Sequence, residues 1–361
     1  MKRLIVILTV FFTVTETYAQ PLRLAVAGIS HGHVSWILGR KNDSVAQLVG
    51  IYEPDKVLAE KMMKRYQLDP SLFYTSLTAM LDKVKPEGVS SFGTTLQHME
   101  VVEACAPRGI HVMVEKPLAT TIKDAEKMAA LAQKHGIHVL TNYETSWYPT
   151  TDKTKALFSD TAFAGKIRKV VVHDGHEGPR EIGVSDDFFN WLTDPVQNGG
   201  GALMDFGCYG ANLMTLLMNG EKPISVTAVT HQFKPHIYPK VDDEATIIVA
   251  YAGAQCIIQA SWNWPFARKD MEVYGERGYV ITRNNNEMKA KGSKGAEVSY
   301  VLKAEETGTY TSPFTYFADV IRGKIKIPSF GPYSLENNVQ VVKILDAARQ
   351  SALTGKTIYL K

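Results

Sequence analysis

Leu22-Arg23-Leu24-Ala25-Val26-Ala27-Gly28-Ile29-Ser30-His31-Gly32-His33 reads as a buried strand running into a glycine turn. An apolar run of this kind, turning into a helix, opens a βαβ unit that binds a dinucleotide when the turn carries G-x-G-x-x-G. Gly28 takes the first position of that pattern. Ser30 and His33 stand at the second and third, and Gly32 supplies a permissive backbone one residue early. His31 lies between them on the same turn. The following helix aims its N-terminal amides at a pyrophosphate, and Ser30 offers a hydroxyl donor in place of a glycine contact.

The second strand, Val45 to Tyr52, delivers Glu53 25 residues after Gly28. An acid there accepts hydrogen bonds from the adenosine ribose hydroxyls. It also repels a 2′-phosphate, and Pro54 offers no cation in compensation, so the expected cofactor is NAD rather than NADP. The alternation continues with a helix at Asp55 to Tyr66 and a strand at Gly88 to Phe92. A helix at Met99 to Ala106, a strand at Val112 to Val114, a helix at Asp124 to His135 and a strand at Ile137 to Leu140 follow. Strands separated by helices of this length predict a parallel sheet covered on both faces, doubly wound by the right-handed crossover rule.

The pattern changes after about residue 145. Ile167 to His173, Ser225 to Phe233, Thr246 to Tyr251, Gln255 to Trp262 and Met271 to Tyr274 read as strands, many joined by turns such as Ala252-Gly253-Ala254. Helices are expected at about 203–218, 314–322 and 335–353. The fold class is therefore α/β: an N-terminal Rossmann dinucleotide-binding domain over 20–145, then a C-terminal α/β domain over 146–361 with an open, mostly antiparallel sheet.

The first residues have the layout of a secretory signal: Lys2-Arg3, an apolar stretch from Leu4 to Val14, and a cut after Ala19. The stretch is too short to span a membrane, so residues 1–19 predict an exported protein, periplasmic or secreted. The net charge of +3 is small and its basic residues are dispersed, which argues against a nucleic-acid surface. Cys105, Cys208 and Cys256 form neither a disulfide framework nor a metal motif. The histidine pairs His31/His33 and His173/His176 lack a convergent ligand set in sequence, and no metal is expected.

Gly199-Gly200-Gly201-Ala202-Leu203-Met204-Asp205-Phe206-Gly207-Cys208-Tyr209 carries the clearest chemistry. On one helix, Asp205 and Tyr209 stand at i and i+4 and share a face, so an acid and a phenol would meet past a glycine turn. Gly207 between them leaves room for a ligand to approach. Taken alone, a helix start with an acidic first turn and a half-buried tyrosine explains the segment equally well.

Several separated segments together resemble the glucose–fructose oxidoreductase/inositol dehydrogenase/MocA family. They are the glycine turn with Glu53, Gly93-Thr94-Thr95-Leu96-Gln97-His98, Glu115-Lys116-Pro117-Leu118-Ala119, the glycine-led segment, and Asp346 to Lys356. The second keeps only the histidine of the family's T-P-N-x-x-H; the third matches its E-K-P signature. The resemblance implies hydride transfer between a sugar-type carbon and a nicotinamide. It assigns Lys116, Asp205 and Tyr209 as catalytic, and places Thr94, Thr95, His98, Glu115 and Asn142 beside the cofactor. Tyr209 stands where most members have histidine, and Asn212 where aspartate is common. A tyrosine base starts near pKa ~10 and would need Lys116 as a cationic neighbour; in the alternative, Tyr209 orients the sugar while Lys116 or Asp205 manages the proton.

For the substrate, Asn142-Tyr143-Glu144 follows the last strand of the first domain, where the family lines its cleft. His176 sits at a strand end, and Trp191, Trp262 and Trp264 are candidate platforms for a pyranose face, although a core position explains each tryptophan at least as well. Amide and aromatic groups favour a neutral sugar or glycoside. The leading expectation is an exported NAD-dependent sugar or glycoside oxidoreductase with a tightly held cofactor, because free NAD is scarce outside the cytoplasm. The alternatives are a redox-neutral glycoside hydrolase or lyase working through transient oxidation, and a non-catalytic sugar-binding protein. The resemblance also implies a homo-oligomer packed through the C-terminal sheet.

Overall fold

The computed structural model describes residues 20–40 and 43–360; the expected signal, residues 1–19, lies outside them. The first sheet has six strands: β1 (Leu22–Ala27), β2 (Ala46–Tyr52), β3 (Phe73–Tyr74), β4 (Gly88–Ser91), β5 (His111–Glu115) and β6 (Val139–Asn142). Their order is β3-β2-β1-β4-β5-β6, and every pair is parallel. This is the doubly wound order whose crevice opens at the carboxyl ends of β1 and β4. In β1, Leu22, Leu24 and Val26 pack into one apolar cluster, while Ala25 and Ala27 join the cluster on the opposite face. Side chains alternate along a strand, so a sheet covered on both faces needs an unbroken apolar run.

One of those covers comes from the far end of the chain. The helix Pro313–Ile321 lays Phe314 and Phe317 onto the first sheet. Burying each contributes roughly 1.5–3 kcal/mol. A Cβ at Gly88 would meet the Phe317 ring at 2.8 Å, so glycine lets this helix settle on β4. The stretch 146–361 therefore returns to the first domain after building its own sheet.

The second sheet comprises β7 (Ile167–Gly175), β8 (Ser225–His231), β9 (Glu244–Ala250), β10 (Gln255–Ser261), β11 (Arg268–Gly275), β12 (Tyr279–Thr282), β13 (Glu287–Lys291), β14 (Val298–Val301) and β15 (Ile358–Tyr359). It is antiparallel apart from the β7–β10 pair. The helices Gly207–Leu217 and Leu335–Thr354 pack together on its inner face, and the latter also touches helix Ile122–His135 of the first domain. That bridge joins the two domains. Strands β12 to β15 escaped the sequence reading: Glu287-Met288-Lys289-Ala290-Lys291 alternates correctly but is charged on its outer face, and β15 is two residues long.

Candidate active site

The turn after β1 sits at the crevice. Gly28 has φ +74°, and a Cβ there would lie 2.5 Å from Gly93 Cα, so the turns after β1 and β4 approach closely only because Gly28 lacks a side chain. Gly32 carries no such demand: its φ is not left-handed and a Cβ would meet nothing within 4 Å. The expectation that Gly32 provides special backbone is corrected. It instead opens the short helix Gly32–Val34. Its amide and that of Ser30 make no hydrogen bond to another described residue.

Glu53 accepts from the amides of Ile29 at 3.1 Å and Asp55 at 2.9 Å. It lines a cavity of about 300 Å³ with Gly28, Ser30, Thr94 and Gln97. Asp55 and Asp187 add carboxylates to this wall, and no Lys or Arg among the described residues lines it. The neighbouring cavity along the turn, about 220 Å³, runs past Ser30, His31 and Gly32 and carries Lys61 and Arg65. The groove thus has an acidic end suited to ribose hydroxyls and a basic stretch at the helix start suited to a diphosphate, which fits a dinucleotide. The helix Asp186–Leu192 lies over it: Asp187 pairs with Lys61 at 2.6 Å, and Phe188 packs on His31 with ring centroids 4.5 Å apart.

Beyond His31 the groove meets a third cavity, about 190 Å³, walled by His33, Lys116, Glu144, His176, Asp205, Tyr209 and Lys269 among others. Lys116 leaves the end of β5 through a cis bond to Pro117. Its side chain is 8% exposed; the ammonium pairs with Asp205 Oδ1 and donates to the Asp205 carbonyl at 3.1 Å. Trp262 Nε1 donates to the other carboxylate oxygen at 2.9 Å. Burial opposes charge on both partners, but each stabilises the other: the Lys116 pKa is held above its ordinary value and that of Asp205 below.

Asp205 and Tyr209 do not share one helix, which corrects the i,i+4 expectation. The helix Ala202–Asp205 ends at Phe206 (φ −110°), and a second starts at Gly207. The break has a function in the geometry. Tyr209 N–H bonds to the Phe206 carbonyl, so the Asp205 carbonyl stays free to receive Lys116. Gly207 faces the second sheet rather than the cleft; a Cβ there would meet Ile247 at 3.0 Å. Asn212 is likewise structural, donating to the Pro332 carbonyl at 2.6 Å.

The Tyr209 ring lies between two cations, 5.3 Å from Lys116 Nζ and 5.7 Å from Lys269 Nζ. Its hydroxyl makes no hydrogen bond to another described residue. Burial, reinforced by Glu144 and other acids, pushes its pKa well above that of a free phenol. The Lys116 cation, paired with Asp205, does not outweigh these effects. Tyr209 therefore holds its proton and acts as a donor. His176 accepts from Gly178 N–H at Nδ1, which leaves its proton on Nε2; burial holds its pKa below the ordinary value. Glu144 lines the cavity, as expected of the segment after the last strand of the first domain, whereas Lys269 went unassigned in the sequence reading, since a lone strand lysine carries no local signal.

Other expected contacts are rearranged. Tyr143 is fully buried beneath Tyr209, edge to face at 5.4 Å, and does not line the cavity. Trp191 belongs to the cofactor groove with Glu53, not to the substrate cavity. Trp264 lies outside the cavity wall and stacks on Arg268. Trp262 is buried as the donor to Asp205, not displayed as a platform. Asn142 and Glu115 act one shell back: Asn142 Nδ2 and His33 Nδ1 bond the two oxygens of Glu115 at 2.7 and 3.1 Å. Thr94 lines the groove, whereas Thr95 is buried against Asn198 at 3.0 Å.

The fold brings Glu115 to the His31/His33 pair, a convergence absent from local sequence, with ligand-type atoms within 4.8 Å. Part of this set is engaged in hydrogen bonds. His31 Nδ1 accepts from the His33 amide, and both Glu115 oxygens are taken. The cluster therefore works as a hydrogen-bonded frame for the turn.

His98 is buried, with Nδ1 at 3.2 Å from the Leu118 carbonyl and Nε2 unpartnered. Burial drops its pKa to about 4, and that of His31 to about 3. A depressed folded pKa gives stability that is complete above the unfolded value near 6.5 and lost as pH falls through the folded value. Denaturant unfolding should therefore show stability falling between pH 6.5 and about 4, by up to about 1.4 kcal/mol per pH unit for each histidine. His98→Gln should flatten the slope; an unchanged slope would show that His98 is not responsible.

Residues 22–143 match the family description "Oxidoreductase family, NAD-binding Rossmann fold", and residues 154–281 match "GFO/IDH/MocA C-terminal domain". The chain is 26% identical over 187 residues to trans-1,2-dihydrobenzene-1,2-diol dehydrogenase of Xenopus tropicalis, covering 51% of each chain. It thus spans about half the length of the first curated relatives it matches. It is 23% identical over 275 residues to 1,5-anhydro-D-fructose reductase of Ensifer adhaerens, covering 74% of this chain and 80% of that one. Among solved structures, it resembles an inositol dehydrogenase homolog from Azotobacter vinelandii complexed with NAD+, with TM-score 0.81 and 18% identity over 97% of this chain and all of that one. It also resembles the aldose-aldose oxidoreductase from Caulobacter crescentus, with TM-score 0.77 and 20% identity over 94% of this chain and all of that one. At these identities the structural likenesses concern the fold.

Proposed function

The chain belongs to the Gfo/Idh/MocA oxidoreductase family, and we propose that it oxidises or reduces a hydroxyl of a sugar or glycoside with NAD. The observation that carries this reading is the junction of the dinucleotide groove with the cavity holding Lys116, Asp205 and Tyr209. Gly28, Ser30, Glu53 and Thr94 would hold the cofactor, which supplies the hydride acceptor. The acidic wall at Glu53, Asp55 and Asp187 favours NAD over NADP. The names of the Ensifer reductase and the Caulobacter oxidoreductase support a sugar-like substrate.

The protein groups divide the proton work. Tyr209 donates its hydroxyl hydrogen to the substrate oxygen and orients it. Lys116 gives a proton to Asp205 and takes one from the substrate hydroxyl, so the ionised Asp205 is the final acceptor in oxidation. Tyr209→Phe should lower kcat about a hundredfold without changing the fold.

Export through residues 1–19 belongs to the same proposal. An exported enzyme cannot draw on cytoplasmic NAD, and the helix Asp186–Leu192 over the groove suits a retained cofactor that one substrate reduces and another reoxidises. Outward residues of the second sheet, including Val229 and Ile248, offer an apolar face for a second copy. Native mass spectrometry of the mature protein should find bound dinucleotide without a 2′-phosphate in an oligomer, and sugars should change its nicotinamide absorbance. No bound dinucleotide and no response to any sugar would overturn the reading. A cleaved glycoside with no net NADH would move it to the redox-neutral hydrolase or lyase.

A further inference from the structure

The substrate cavity has a second ion pair that the proton transfer does not use. Lys269 projects from β11 of the second sheet, and its Nζ lies 2.9 Å from Oε2 of Glu144, which follows β6 of the first. Tyr148 O–H donates to the other oxygen of Glu144 at 2.6 Å, fixing the carboxylate. Lysine and glutamate both line the cavity beside Tyr209, and both remain partly exposed to it, at 19% and 35% of their side-chain surface. We propose that Lys269 and Glu144 form a charge-compensated recognition pair that selects neutral, hydroxyl-bearing substrates and rejects carboxylates.

The argument is one of local charge and donor count. Lys116 is neutralised by Asp205 and Lys269 by Glu144, so the two cavity ammonium groups are both compensated. Among the described residues, His31, His33 and His176 are the other basic groups on the wall, and burial holds the first and last below the ordinary imidazole pKa. A carboxylate entering beside Lys269 would meet Glu144 as well, and that repulsion cancels the attraction. A hydroxyl both donates and accepts. A pair of adjacent hydroxyls can accept from Lys269 Nζ and donate to Glu144 without a net charge being desolvated. Because the partners come from different domains, the pair also closes the cavity across the domain boundary.

This inference rests on the proposed action on sugars, and its test separates the two. The NAD-loaded protein is assayed with methyl glycosides and the matching methyl uronides, reading kcat/KM and, by calorimetry, Kd. The wild type should prefer the neutral ligand. Glu144→Gln keeps the shape and the Tyr148 contact but uncovers the Lys269 charge, and should shift the uronide-to-glycoside ratio toward the uronide by at least about tenfold. Lys269→Met should weaken the neutral ligand with no gain for the uronide. An unchanged ratio in a folded, active Glu144→Gln protein, or a uronide gain in Lys269→Met, overturns the inference while the sugar reading stands. A wild type that turns over neither class overturns both.

Discussion

Replacing Lys116 by methionine should lower kcat by about a thousandfold and destabilise the protein by about 3–5 kcal/mol. Methionine keeps the unbranched apolar stem but removes the ammonium. The chemical loss follows because the substrate proton no longer has a route to Asp205. The stability loss follows because Asp205, 4% exposed, keeps Trp262 on one oxygen and loses the cation on the other. An unpaired buried carboxylate must protonate or pay its desolvation in full. The two effects separate in a double-mutant cycle: adding Asp205→Asn to Lys116→Met should restore much of the stability and none of the activity. Lys116→Arg should not restore turnover either, because a guanidinium does not give up its proton. Single-turnover kinetics and urea unfolding on the four proteins of the cycle and on Lys116→Arg read this. A Lys116→Met protein within tenfold of wild-type kcat would remove Lys116 from the chemistry.

Gly201→Ala should destabilise the protein by at least about 3 kcal/mol and take activity with it. A Cβ at this position would lie 1.8 Å from the Asp242 carbonyl oxygen, an overlap that backbone on backbone cannot relieve. Asp242 is the anchor of the segment. Its carboxylate accepts from the amides of Gly201 at 3.0 Å and Leu203 at 2.7 Å, and its carbonyl accepts from Ala202 at 3.0 Å. These bonds satisfy the amides at the start of the helix that ends in Asp205. Pushing Gly201 away breaks them together and moves Asp205 off Lys116. Gly32→Ala is the control: it also lies beside the site, but nothing stands within 4 Å of its added carbon, and thermal unfolding should be nearly unchanged. Equal melting temperatures for Gly201→Ala and wild type would refute the steric account.

The contrast between these glycines shows where reading the chain reached its end. Gly28, Gly32 and Gly201 look alike in sequence, and only the packing of Gly93 and Asp242 against the first and last makes them irreplaceable. Asp242 itself carries no local sign of its role, since an acid before Asp243 in a turn is common. Trp262 could be a platform or a core residue on sequence grounds, and its indole N–H was claimed by a carboxylate 57 residues away. Tyr209 and Asp205 were legible as a pair, but not the break at Phe206 that frees the carbonyl between them.

The strand and helix alternation, the parallel sheet apart from its short edge strand β3, the glycine turn with Glu53 and the Glu115-Lys116-Pro117 segment are determined by the sequence itself. Periodicity, turn chemistry and short motifs are local, so near neighbours encode them. The tertiary structure alone decided which charges meet. Lys116 and Asp205 are 89 residues apart, and Glu144 and Lys269 belong to different sheets. Their pairing depends on how the two domains dock through the helices Pro313–Ile321 and Leu335–Thr354. Desolvation at that junction, which no single segment carries, then settled that Tyr209 keeps its proton, while the Asp205 carboxylate holds Lys116 charged against the same desolvation.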